Sequence, residues 1–101
     1  MESYVILMEM TEKGLNEIDK IPAFVNELKD KMNKRGLNLK DFFKTMGETD
    51  YVALFEAPNE TEALGVIMAL GKIGYFTTLS MKAYSMLGMT EAMNIYAENY
   101  K

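Results

Sequence analysis

The stretch from Phe42 to Asn59 constrains this chain most, because it writes strand, tight turn, strand and helix start in order. Leu37 to Met46 and Tyr51 to Glu56 are rich in aromatics and β-formers. Between them, Gly47-Glu48-Thr49-Asp50 is a glycine-containing connection of hairpin length. Two antiparallel strands are therefore fixed. The following Ala57-Pro58-Asn59 ends the second strand and offers Asn59 as a helix N-cap.

A second feature extends the first. Tyr4-Val5-Ile6-Leu7-Met8-Glu9 and Tyr51-Val52-Ala53-Leu54-Phe55-Glu56 share Tyr, Val, Leu and Glu at matching places, and each precedes a polar turn and an amphipathic stretch. In the first half, Leu15, Ile18, Ile21, Val25, Leu28 and Met32 recur at spacings of three and four, which puts one apolar stripe on a helix. Proline fits the first turn of a helix but not its interior. Pro22 thus predicts a short helical turn near residues 12 to 19 and a main helix from about 22, stopping at Gly36. In the second half, Asn59 with Glu62 three residues on reads as a capping box. The stripe Leu64, Ile67, Met68 and Leu70 follows, ending at Gly71 or Gly74. A last strand, Phe76 to Tyr84, sets Leu79, Met81 and Ala83 against Thr78, Ser80, Lys82 and Tyr84. Residues 90 to 100 read as a short C-terminal helix.

The order is β-α-β-β-α-β. Right-handed crossovers leave an α+β, ferredoxin-like arrangement: a four-stranded antiparallel sheet with both helices on one face, and the two related strands central and parallel to each other. At 101 residues one domain is implied, with its core over about 3–85 and a C-terminal extension over about 86–101. The central strands are apolar on both faces, yet helices cover only one. Val5, Leu7, Val52 and Leu54 are expected to meet the helices. Tyr4, Ile6, Met8, Tyr51, Ala53 and Phe55 would then face a second copy. Burying ~800 Å² per subunit at ~25 cal/mol per Å² offers roughly 20 kcal/mol gross, against an association cost of ~4 to 15 kcal/mol. A homodimer follows.

Chemistry is bounded by what the chain lacks. Without histidine or cysteine it supplies no haem imidazole or thiolate, no ordinary zinc site and no Ser-His or Cys-His nucleophile. No glycine-rich phosphate loop occurs, so no cofactor and no metal site is indicated, and no catalytic residue stands out. A net charge of −4, with Lys29, Lys31, Lys34 and Arg35 interleaved with Asp30, Met32 and Asn33, argues against nucleic acid as a partner. The apolar start Tyr4 to Met8 is too short for a membrane or signal segment. With 49% hydrophobic and 26% charged residues, the chain reads as a folded, soluble, cytoplasmic protein.

Thr45-Met46-Gly47-Glu48-Thr49-Asp50 through Val52-Ala53-Leu54-Phe55-Glu56-Ala57-Pro58 resembles the GYD domain family, as do the opening Tyr4-Val5 run and the late Thr77-Thr78-Leu79 to Ala83-Tyr84 strand. These are small ferredoxin-like proteins grouped with the dimeric α/β barrels. The resemblance spans most of residues 3–85. The family's glycine-x-tyrosine-aspartate signature stands here as Gly47-Glu48-Thr49-Asp50, with threonine in the tyrosine place. It implies fold and dimer, and no established reaction.

Five residues are candidates for a ligand site. Asp50 either enters a pocket at the mouth of such a barrel or, as aspartates beside turn glycines commonly do, bonds to turn backbone. Tyr4 and Tyr51 would lie side by side on parallel neighbouring strands, lining a cavity or simply packing. Lys82 and Tyr84 share the polar side of the last strand; if that side turns inward they face a lumen, and otherwise Lys82 guards an edge. Glu9 and Glu56, at equivalent strand ends, form either a carboxylate pair or two solvated ends. Of the methionines, Met8, Met32, Met68 and Met81 fit the core, while Met86, Met89 and Met93 suit an interaction surface. Three functions fit these features. One is a small-molecule-binding module with an apolar, Tyr-lined cavity for a weakly polar metabolite. Another is a cofactor-free, monooxygenase- or isomerase-like enzyme by analogy with other dimeric α/β barrels. The last is a structural interaction protein.

Overall fold

A computed structural model describes all of residues 1–101. The chain runs β1 (Glu2–Met10), α1 (Glu12–Asn16), a 3-10 turn (Ile18–Lys20), α2 (Ile21–Lys34), β2 (Asn38–Lys44), β3 (Tyr51–Ala57), α3 (Glu60–Lys72), β4 (Phe76–Ala83) and α4 (Met86–Asn99). Pro22 sits in the first turn of α2, where its missing N–H has no partner to lose, and the break before it is the expected one. Gly36 at φ 80° and Gly74 at φ 84° let the chain leave α2 and α3 through the left-handed region. Asn59 caps α3, its Oδ1 accepting the Glu62 N–H at 3.0 Å. The Glu62 carboxylate does not close a capping box. It turns to Arg35 on the end of α2, accepting from Nε at 2.6 Å and Nη2 at 2.9 Å. No helix is long and apolar enough to cross a membrane.

The sheet order is β2-β3-β1-β4, with every pair antiparallel, which is the strand order of a ferredoxin-like fold. The two related strands are central, as expected, but antiparallel: Tyr4 lies opposite Phe55, and Met8 opposite Tyr51. The crossover makes β2 run with β1, and the hairpin reverses direction once more, so β3 must oppose β1.

The faces are the reverse of those expected. Tyr4, Ile6, Met8, Tyr51, Ala53 and Phe55 are buried against the helices, in one core with Ile21, Leu28 and Met32 of α2 and Ala63, Val66 and Leu70 of α3. Large rings on the sheet fill the space left by small residues on α3, and Tyr4 stacks on Phe55 with centroids 5.3 Å apart. Val5, Leu7, Val52 and Leu54 lie on the uncovered face instead. There the rows Phe43-Val52-Leu7-Leu79 and Asp41-Leu54-Val5-Met81 cross all four strands. Leu79 and Met81 are therefore exposed rather than core. On α3 the buried stripe is Ala63, Val66, Ile67 and Leu70, while Leu64 and Met68 face solvent; on the first half Leu15 and Ile18 are likewise exposed. The C-terminal helix starts at Met86, four residues earlier than the sequence suggests, because Ser85 caps it by accepting the Gly88 N–H at 3.1 Å.

Candidate functional site

The antiparallel register separates the five candidate residues into two groups at opposite ends of the sheet. Tyr4 and Tyr51 are not neighbours. Glu9 and Glu56 are likewise apart, since Glu9 pairs with Thr77 and Glu56 with Ser3.

At the open end of β1, Lys82 does turn toward the helix layer. Its Nζ lies 3.3 Å from Glu2 and 3.3 Å from Glu60 at the start of α3, and 5.7 Å from the Tyr84 ring centroid. The Tyr4 hydroxyl donates to Glu2 Oε1 at 2.8 Å. Burial and that bond to Glu2 push the Tyr4 phenol up to about 12. The Tyr4 and Lys82 hydrogen bonds hold the Glu2 carboxyl below its usual range, and the Glu2 and Glu60 carboxylates raise Lys82. This is a satisfied ionic cluster beside an exposed Tyr84.

The hairpin end is built differently. Gly47, at φ 121°, turns the chain in a region few other residues adopt. Asp50 then fastens the turn to β1: its N–H donates to Met8 O at 2.9 Å, and its Oδ2 accepts the Met10 N–H at 2.7 Å. Thr45 donates through its hydroxyl to Thr49 O and through its N–H to Asp50 O. The Asp50 carboxylate thus bonds to the backbone of β1 rather than to that of its own turn.

Next to it, Lys44 ends β2 directly opposite Tyr51. Its Nζ donates to Thr45 O at 3.1 Å and Asp50 O at 3.2 Å, and stands 3.8 Å from Asp50 Oδ1 and 4.9 Å from the Tyr51 ring centroid. Burial, then the Asp50 charge, raise the Tyr51 phenol, so it keeps its proton at neutral pH. Phe42 and Tyr51 pack with centroids 5.7 Å apart. The start of α2 stands off these rings and leaves a recess of about 490 Å³, walled by Ile18, Ile21, Pro22, Val25 and Phe42 and edged by Asn26, Lys44 and Tyr51. A second groove, of about 370 Å³, lies between α2 and α3 under the Arg35–Glu62 pair. Of the five candidates, only Tyr51 lines either. Lys44 and the proline corner were missed, although counting back across the hairpin from Tyr51 reaches Lys44.

A family model described as the GYD domain matches residues 4–93 of the 101. The chain belongs to the GYD domain family. No curated protein and no solved structure matched it. In this GYD domain the Gly47–Asp50 segment is thus a hairpin turn bolted to β1, and it sets Tyr51 and Lys44 at the rim of the larger recess.

Proposed function

We propose that this GYD domain is a homodimeric module that binds a small apolar or weakly polar metabolite in the recess under the start of α2. The recess itself carries the reading. At about 490 Å³ it falls within the size range of small-molecule sites, and apolar walls with a few placed polar groups are their usual lining. Tyr51 offers a phenol that stays protonated at neutral pH, and Lys44 a cation pinned over its ring. Together they suit an aromatic or branched apolar molecule carrying one hydrogen-bond acceptor. The second copy covers the open sheet face, where Phe43, Leu79 and Met81 stand exposed in contiguous rows.

Native mass spectrometry of the chain purified without added ligand tests both halves at once. The expected species is a dimer carrying the mass of a small organic molecule. Val25→Trp, which fills the recess, should release that mass and keep the dimer. A chain that retains nothing, and whose melting temperature is unmoved by a panel of phenols and aromatic ketones, overturns the binding reading.

A further inference from the structure

Of the three long helices, the C-terminal one alone has no place in the core. No residue of α4 is buried, and none packs against the core cluster. The radius of gyration, 15.7 Å, exceeds the ~13 Å of a compact chain of this length, and the long axis reaches 53 Å. Yet α4 carries an ordered pattern. Met86, Met89, Met93, Tyr96 and Tyr100 recur at spacings of three, four, three and four, which sets them along one seam. These side chains stand between 50% (Met89) and 78% (Tyr100) exposed. A lone 14-residue helix containing Gly88, Thr90 and Asn94 is marginal in water, so its seam needs a cover to persist.

The second bare surface on the chain says what that cover is. Phe43, Leu79 and Met81 are about half exposed, while Val5, Leu7, Val52 and Leu54 are mostly covered. At ~200 Å² for a large side chain, the exposed parts of these three present roughly 330 Å², well short of the ~800 Å² per partner of a standard interface. The α4 seam adds roughly 650 Å² on the same scale, which carries the total past that requirement. Only two residues, Tyr84 and Ser85, separate it from β4, whose Leu79 and Met81 belong to the open face.

We infer that α4 is an exchanged arm: in the homodimer, each subunit lays its Met/Tyr seam against the other subunit, extending the sheet-face contact. The inference rests on the dimer proposed above and assigns most of its interface to the arm. Two-fold symmetry then uses each arm once and leaves no seam exposed.

Two measurements test it on the full chain. Met93→Glu with Tyr96→Glu keeps good helix formers in α4 while charging the seam, and neither residue touches the core. Sedimentation analysis should show the dimer dissociation constant raised about 100-fold or more, with the far-ultraviolet spectrum of the β-sheet core retained. Separately, Lys101 is the only lysine after Lys82. Amine cross-linking of mixed unlabelled and ¹⁵N-labelled chains should join Lys101 to body lysines in hybrid-mass pairs. Cross-links only within one isotope, or a dimer as tight in the doubly charged variant as in the parent, overturn the arm and leave the sheet-face dimer standing. A monomeric parent chain overturns both.

Discussion

Replacing Gly14 by alanine sets two ordinary rules against each other. Alanine is the better helix former by about 1 kcal/mol, so α1 alone predicts stabilisation. The surroundings predict the opposite. A Cβ at Gly14 would sit 2.2 Å from the Tyr75 carbonyl oxygen and 3.0 Å from its carbon, both backbone atoms that no rotamer change can move aside. α1 must retreat by roughly 1 Å to restore an ordinary contact. It is tied there by the Thr11 N–H to Tyr75 O at 2.9 Å and the Thr11 hydroxyl to Gly74 O at 2.6 Å. Losing those two bonds costs about 1 kcal/mol each, and residual strain adds ~1–3 kcal/mol. Less the propensity gain, the substitution should destabilise by about 2–4 kcal/mol. That corresponds to a fall of roughly 10–30 °C in Tm for a domain of this size. Urea unfolding followed by circular dichroism reads it directly, with the slope unchanged. Gly65→Ala is the paired control. It lies mid-helix in α3 with nothing within 4 Å of its would-be Cβ, and should stabilise by about 0.5–1 kcal/mol. A Gly14→Ala chain as stable as the parent would show that α1 does not press on Tyr75.

Other substitutions probe the two ends of the sheet and its centre. Asp50→Ala strands the Met10 N–H and should cost about 1–3 kcal/mol in urea unfolding, whereas Asp50→Asn keeps an oxygen there and should cost less; equal stability of Ala and parent refutes the bolt. Tyr4, held at about 12 against an ordinary 10.0, keeps its proton in the folded chain after the unfolded chain has released it. Stability should therefore fall as pH rises from about 10 to 12, and Tyr4→Phe should make that slope shallower, Tyr51 supplying the remainder, while tyrosinate absorbance loses a late-titrating phenol. Phe55→Ala empties a fully buried site stacked on Tyr4 and should cost about 3–5 kcal/mol; a loss below 1 kcal/mol would mean that the helices collapse into the gap.

Much of the fold was legible because local chemistry dictated it. Gly47, Asn59, Pro22 and Gly36 each placed a turn, a cap or a break where the chain has one. What failed was global. Alternation along Tyr4–Met8 assigns residues to the same face but carries no sign for which face is covered, and the rings fill the space beside Ala63 and Val66, the small residues that α3 turns to the sheet along with Leu70. Strand direction followed from counting reversals, not from the likeness of the two repeats. α3 is apolar on more than one side, so a stripe through Leu64 and Met68 looked as good as the true one through Ala63 and Val66. The recess was invisible for a related reason: Ile18 and Pro22 reach Phe42 and Tyr51 only through the fold, and no spacing in the sequence joins them.

The placing of β1 between β3 and β4 has a consequence on the ribosome. β1 is made before both of its partners: Ser3 pairs with Glu56 of β3 on one edge and with Ala83 of β4 on the other. At ~5–20 residues per second, the roughly 70 residues that follow take ~4–15 s to emerge. Throughout that interval Ser3-Tyr4-Val5-Ile6-Leu7-Met8 is an uncharged β-former with at least one open edge, and with two until β3 is out, the composition that self-associates readily. The only charges on the strand are Glu2 and Glu9, one at each side of that run. Charges so placed are the gatekeeper pattern, and removing both should lower soluble yield far more than it lowers the stability of the finished fold.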